Sequence, residues 1–475
     1  MSEESNDRVQ KPSAAEEETT TLYAARKKLF VRSTTGYFAN WRWILVWVTQ
    51  IVFYGLPWLT WNGRQAVLFH LTERKFYLFG WVFWPQDVFY LALILIISAF
   101  ALFFFTAVAG RLWCGYACPQ TVYTEIFMWI EEKIEGDHTK RRKLDAAPMD
   151  ARKFRIRATK YTIWVLLSLW TGFTFVAYFS PLEVLLEEIL TFGFGPWELF
   201  WILFYGGFTF LFAGVLREQV CKYMCPYARF QGVMFDPDTL VITYDSERGE
   251  PRGARKKGVE PASVGKGDCI DCNICVQVCP TGIDIRDGLQ YECIGCAACI
   301  DACDQVMERM NYPKGLIRYS TENALRKRWG RKEIIAHVAR PRTLIYATLL
   351  TVVVAGLLTS LALRPNLRVD VSRDRAALAR EVAGGEIENI FNLHIMNMVE
   401  QARTIEISVS GLEGLRVEGQ NRITVPAATA QTLIVPVRVM PSAGKSGSHP
   451  IEFTFKAEGD EPITVNENST FILPR

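Results

Sequence analysis

Histidine is scarce in this chain: there are five in 475 residues, and none falls in its long apolar runs. That removes the usual axial ligands of a transmembrane b-type haem. Cysteine is absent from the first 113 residues and from the last 172, which excludes the scattered disulfide framework of a small secreted domain. Neither a G-x-x-x-x-G-K-[ST] loop nor a G-x-G-x-x-G fingerprint occurs, so nucleotide-driven chemistry has no signal. The net charge is only +3, from 53 Lys and Arg against 50 Asp and Glu, and no nucleic-acid partner is expected on that balance. Residues 1–40 lack the apolar core of a cleavable signal peptide. The first 20 are polar and acidic, a composition that favours disorder.

What is present is concentrated. Half of the residues are apolar, and they gather in uncharged runs at Trp43–Gly63, Val88–Gly110, Tyr161–Leu182, Leu199–Leu216 and Thr343–Leu363. Each is about long enough to cross ~30 Å of hydrocarbon at ~1.5 Å per residue. Pro57, near the end of the first run, is tolerable as a kink. The expectation is five transmembrane helices, with membrane lipid as the first partner. Trp41, Trp43, Trp58, Trp61, Tyr161 and Trp197 sit near the run ends, where interface anchoring accounts for them.

Charge orients the spans. The segment Arg111–Lys160 is basic and includes Lys140-Arg141-Arg142-Lys143, and Arg217–Arg342 is basic too. The loop Pro181–Glu198 has no Lys or Arg and carries Glu183, Glu187 and Glu188. Basic loops stay inside, so the N-terminus and the cysteine-rich segment are expected in the cytoplasm and the tail after Arg364 outside. That tail alternates apolar and polar residues at 404–409, 433–439 and 451–455, between Gly, Pro, Asn and Ser clusters. Period-two patterning over about 110 residues predicts an antiparallel, Ig-like β-sandwich.

All 12 cysteines fall in tight groups. Cys269-x2-Cys272-x2-Cys275-x3-Cys279-Pro280 is the bacterial ferredoxin run, and it recurs as Cys293-x2-Cys296-x2-Cys299-x3-Cys303, with Asp304 where Pro often follows. Three thiolates at this spacing reach three irons of one cubane while the fourth ligates the other cluster. Cys269, Cys272, Cys275 and Cys303 are therefore expected to hold one [4Fe–4S] cluster, and Cys293, Cys296, Cys299 and Cys279 the second. A zinc ribbon would present two well-separated pairs instead.

The remaining four cysteines form Cys114-Gly-Tyr116-Ala-Cys118-Pro119 and Cys221-Lys-Tyr223-Met-Cys225-Pro226, a C-x-Y-x-C-P motif repeated 107 residues apart at matching membrane depth. Cysteines at i and i+4 share a helix face, and Arg111, Arg217 and Lys222 nearby would favour thiolate. Against burial as plain small residues stand a four-thiolate copper site, an extra cluster and dithiol chemistry. Soft sulfur ligands would favour copper(I), but spacing does not choose among these. His394, Met396 and Met398 would share one strand face, and ordinary strand packing accounts for them, as it does for a lone His70 in the first outer loop.

The stretches RLWCGYACPQTVYTEIFMWIEEKIEGD, REQVCKYMCPYARFQGVMFD and CPTGIDIRDGLQYECIGCAACIDACDQVM, with a tail carrying Asn389–Asn397 and Gly411–Gly414, resemble the FixG/RdxA/CcoG family of cytochrome c oxidase accessory proteins. The resemblance runs from about Trp43 onward. It implies a multi-pass protein of the bacterial inner membrane, with a flexible cytoplasmic N-terminus (1–40), a four-helix region with both C-x3-C-P motifs (41–240) and a cytoplasmic 2[4Fe–4S] ferredoxin domain (241–325). A fifth helix (342–364) and a periplasmic Ig-like domain (365–475) complete it. It also implies copper(II) reduction for assembly of a cbb3-type oxidase, with oxidase assembly factors and a copper transporter or chaperone as partners. The cysteine roles carry over position by position. The electron donor has no signature in the chain. The competing expectations are an electron-transfer subunit or assembly scaffold without its own substrate, and a redox sensor.

Overall fold

A computed structural model describes residues 28–191, 193–374, 379–458 and 462–474. The segment expected to be disordered, residues 1–20, lies outside the described residues. Among the described residues, three helices are both long and apolar enough to cross a membrane: Pro85–Ala109, Pro196–Leu216 and Pro341–Ala362. Five were expected. The other two runs fold into helices of sufficient length, Tyr37–Gly55 with 19 residues and Ala151–Val176 with 26. Arg42 and Gln50 dilute the first, and Arg152, Lys153, Arg155, Arg157 and Lys160 occupy the opening turns of the second. The run that began at Trp43 ends its helix at Gly55, and Pro57 lies beyond that end in a single 3-10 turn rather than making a kink.

The first helix begins at Tyr37, within the segment 1–40, and described residues just before it are docked: the Arg32 amide donates to the Gln277 carbonyl at 2.8 Å, and Ser33 donates to Glu132 at 2.6 Å. The amides of Phe38 and Ala39 donate to the buried carboxylate of Asp301 at 3.2 and 2.7 Å. A carboxylate there satisfies orphan N–H groups and suits the positive end of the helix dipole. Because Asp301 lies in the helix Ala298–Met310 of the cysteine-rich unit, this contact ties that unit to the first helix.

The cysteine-rich unit is closed by the antiparallel pair Val241–Tyr244 and Ile317–Ser320, in register Val241↔Ser320. Ile242, Ile285, Ile300, Met307, Leu316 and Ile317 form its core. At the opposite end of the helices, the strands Val67–His70, Lys75–Leu78 and Trp81–Phe83 form a small sheet. The tail folds into two packed antiparallel sheets. One runs in the order 416–417, 430–439, 387–397, 367–373, with 380–381 also on 387–397; the other runs 422–425, 403–410, 447–458, 463–473. Alternate residues point inward, so Phe391, Phe453, Phe455 and Phe471 are wholly buried between the sheets. Met396 and Met398 are buried against Val82 and Trp84 of the small sheet. His394 instead bonds Thr432 at 3.0 Å, so this trio packs a domain contact and does not converge as a metal site.

A buried ionic cluster braces the helix Pro119–Glu135. Glu131 accepts from Arg217 at 2.9 Å, Lys160 at 3.2 Å and Arg141 at 3.3 Å. Burial alone would raise the Glu131 carboxyl, but Arg217, Lys160 and Arg141 outweigh it and hold it below the usual range. A depressed carboxyl contributes stability above its unfolded pKa and loses it as pH falls through the folded value. Thermal melts of the whole chain should therefore show Glu131→Gln costing about 3–5 kcal/mol near neutrality, with the gap to wild type closing on acidification below the normal glutamate range.

Candidate functional site

The two cysteine runs adopt the same local backbone. In the first, Asp271 and Asn273 flank Cys272 at φ of 54° and 56°; in the second, Gly295 and Ala297 flank Cys296 at 70° and 59°. Left-handed residues on either side of the middle cysteine curl the chain into a cup. For Asp271, Asn273 and Ala297 this costs about 1–3 kcal/mol each, a strain that a bound group would offset. Each run supplies three thiols to its own cup and then enters helix: Ile274–Gln277 after the first, Ala298–Met310 after the second.

Two cavities result. One, of about 370 Å³, is lined by Cys269, Cys272, Cys275 and Cys303. The other, of about 340 Å³, is lined by Cys275, Cys279, Cys293, Cys296 and Cys299. Each cavity thus has three thiols of one run and at least one of the other, with Cys275 lining both. Among the described residues, no three His, Cys, Asp or Glu side chains are grouped to hold one metal ion; the thiols ring the cavities instead. Burial pushes Cys275, Cys293 and Cys303 up to about 12 and Cys299 well above its ordinary value. Burial raises Cys296 as well, and the charge of Arg42 partly opposes it. The polypeptide alone thus holds neutral thiols, and thiolate there needs positive charge inside the cavity. Sulfur donors around such a space fit an iron–sulfur cluster.

The membrane-edge pairs do not sit on one helix face. Cys114 lies in the single turn Leu112–Tyr116, which ends before Cys118. Cys118 and Cys225 adopt extended backbone as the N-caps of Pro119–Glu135 and Pro226–Met234, with Pro at the first helical position. The prolines begin new helices rather than ending old ones. The fold nevertheless brings one thiol of each motif, Cys114 and Cys221, to the same buried cluster. Cys221 lies in a π-helical turn, Val220–Met224, close in sequence to a second one, Phe210–Leu216; such widened turns often accompany functional sites.

The expected activation of these thiols by nearby cations is also corrected. Burial dominates, pushing Cys114 and Cys221 up to about 12 and raising Cys118, despite amide hydrogen bonds from Gln120 and Thr121. Arg217 is drawn away to Glu131. Arg111 is a staple instead, donating to the carbonyls of Ala228 and Cys293. It thereby joins the first motif to the second and both to the second cysteine run.

That junction is close. A Cβ on Gly115 would meet the Gly295 carbonyl oxygen at 2.7 Å and Cys296 Cα at 2.9 Å. Cys114 and Cys221 pack against the buried cluster of Val278, Ile294, Cys296, Ala298 and Ala302. Tyr319 donates to the Gly295 carbonyl at 2.6 Å and lies 3.5 Å from the Tyr116 hydroxyl. Sequence reasoning passed over Gly115, Arg111 as a staple, Tyr319 and Gln231, whose side-chain oxygen accepts from the Cys114 thiol at 3.4 Å. Gly115, inside the C-x-Y-x-C-P motif, was the one readable signal among them. Gly115→Val should force the two backbones apart and slow electron exchange between cysteine run and thiol pair by about tenfold or more, with iron content unchanged; freeze-quench spectroscopy would follow it.

Cysteine-lined cups joined to apolar helices of membrane-crossing length define an iron–sulfur redox protein built for electron transfer. Residues 216–322 match the family model described as a 4Fe–4S dicluster domain, residues 91–136 one described as a 4Fe–4S binding domain, and residues 357–474 one described as the Ig-like fold at the C-terminus of FixG, putative oxidoreductase. The chain is 36% identical to the nitrogen fixation protein FixG of Rhizobium meliloti, over 95% of this chain and 94% of that one. It is 41% identical to protein RdxB of Cereibacter sphaeroides, over 87% and 89%. Among solved structures it is similar to a FixG-related protein from Vibrio parahaemolyticus, 26% identical with a TM-score of 0.21, over 23% of this chain and 96% of that chain. The chain belongs to the FixG/RdxA/RdxB family.

Proposed function

We propose that this protein reduces copper(II) to copper(I) for assembly of a cbb3-type oxidase, as a multi-pass protein of the bacterial inner membrane. In this reading Cys269, Cys272, Cys275 and Cys303 hold one [4Fe–4S] cluster, and Cys279, Cys293, Cys296 and Cys299 hold the other. When bound, these clusters supply reversible one-electron storage. Cys114, Cys118, Cys221 and Cys225 bind copper(II) as substrate, each ion taking one electron, and soft sulfur ligation stabilises the copper(I) product. The helices Tyr37–Gly55 and Ala151–Val176 cross the membrane with the three more apolar ones. The ferredoxin unit then faces the cytoplasm and the Ig-like domain the periplasm, in line with the basic loops.

The observation that carries this reading is the packing of Cys114 and Cys221, one from each motif, against the buried cluster that contains Ile294, Cys296 and Ala298. Anaerobic stopped-flow mixing of reduced protein with copper(II) tests it. Recovery of the oxidised-cluster absorbance should track copper(I) formation at one electron per ion. Copper(II) that persists beside fully reduced protein would refute the proposal.

A second reading has its own support. The segment 91–136, matched as 4Fe–4S binding, contains only Cys114 and Cys118 of the twelve cysteines. On that reading the four thiols hold a further cluster and the protein is an electron-transfer subunit or scaffold. About twelve irons per purified chain instead of eight would favour it.

A further inference from the structure

The donor that fills this protein with electrons has no sequence signature, but a second opening reaches the same cysteine loop from another side. A polar cavity of about 1310 Å³, its mouth included, lies between residues 31–35, the start of the first helix and the helix Pro119–Glu135. Its inner wall is Val278, Pro280 and Ala298. Pro280 follows Cys279, and Ala298 lies between Cys296 and Cys299. The cavity therefore adjoins the same cysteine set that Cys114 and Cys221 touch.

Its lining suits one kind of molecule. Arg42 is 7% exposed and its Nε has no hydrogen-bond partner. The Arg42 guanidinium is 3.7 Å from Glu125, too far for a hydrogen bond. A buried cation with an unused donor suits a carbonyl or phenolic oxygen. Trp43 and Trp129, edge to face at 6.2 Å, offer apolar walls for a flat ring. Glu125 and Glu132 also line the cavity and can take up protons. Trp43 and the exposed Trp47 stand one turn apart, and the exposed face continues through Ile51. In the membrane reading that face meets lipid, so the mouth is open to a lipid-soluble ligand.

We infer that this cavity is a quinol-oxidation site, with Arg42 binding an oxygen of the ring. The inference rests on the cluster assignment of the proposed function. Oxidation breaks both O–H bonds of the quinol. Two protons leave to Glu125, Glu132 and water, and two electrons leave singly through the loop at Pro280 and Ala298, one to each cluster site. A nicotinamide delivers its pair together as hydride, which a one-electron acceptor cannot take. Two cluster sites match one quinol to two copper ions: the second electron waits at the site of Cys269, Cys272, Cys275 and Cys303.

The test is photolabelling of the purified full-length protein in lipid nanodiscs with a short-chain azido-quinone, followed by peptide mapping. Label should fall in residues 31–43 or 125–133 and be competed by unlabelled short-chain quinone. Met128→Trp, which fills the cavity, and Arg42→Gln should each cut labelling and quinol-driven reduction by about tenfold. In Met128→Trp iron content and copper reduction after dithionite treatment should stay at wild-type levels. Labelling elsewhere, labelling indifferent to both variants, or filling of the clusters by a soluble donor protein but not by quinol would overturn the inference. Labelling at the cavity in a protein that cannot reduce copper even after dithionite would sink the copper reading and leave the quinol site standing.

Discussion

Serine at all of Cys114, Cys118, Cys221 and Cys225 is expected to lower copper(II) reduction by at least about 100-fold, or about 2.7 kcal/mol of barrier, while both ferredoxin clusters keep their spectra. The thiols are the soft donors that would make copper(I) the favoured state, and hydroxyls do not replace them. They are also buried where a charge is poorly tolerated, Cys114 and Cys221 being pushed up to about 12, so an incoming cation must displace their protons. Acidification should weaken copper binding for the same reason, because protons and metal compete for one set of sulfurs. The measurement is single-turnover copper(I) formation from protein reduced with dithionite and freed of excess reductant, beside electron paramagnetic resonance of the clusters. Unchanged turnover would exclude these residues as the terminus, and loss of the ferredoxin signals would make their role structural.

The second large effect concerns cross-ligation. Cys303→Ser should damage the cluster served by Cys269, Cys272 and Cys275, and Cys279→Ser the one served by Cys293, Cys296 and Cys299, with iron falling from about eight to about four per chain in each case. The cavities support this pairing, since Cys303 lines the space of the first run and Cys279 that of the second. Paired substitutions give the sharper result. Cys269→Ser with Cys303→Ser should remove one cluster and spare the other, whereas Cys269→Ser with Cys279→Ser should remove both. The reverse pattern, read from iron content and reduced-state spectra, would assign each run to its own cluster.

Much of the site was legible because metal ligation constrains sequence tightly. A thiol three residues from the next can reach the next iron of one cubane, so Cys269–Cys279 and Cys293–Cys303 announce their chemistry by spacing alone. The sandwich was legible for a similar reason, since strands with one buried face must alternate, as in Phe453-Thr454-Phe455. The spans were less so. Apolarity counts composition, and it does not distinguish the uninterrupted helix Val88–Ala109 from Ala151–Val176, whose first turns are basic. The C-x3-C-P geometry was misread because helical spacing was assumed across a residue pair that the fold splits between two elements.

By itself the sequence determined that this is an iron–sulfur redox protein, with eight cysteines in two ferredoxin runs, long apolar helices and a C-terminal β-sandwich. Those properties are set by local spacing and periodicity. Only the tertiary structure decided that Cys114 and Cys221, from motifs 107 residues apart, pack against one buried cluster with Ile294, Cys296 and Ala298. It alone showed Arg111 stapling the two motifs together and a lined cavity beside that buried cluster. Contacts of that kind depend on which helices pack together and on a glycine, Gly115, that lets two backbones touch.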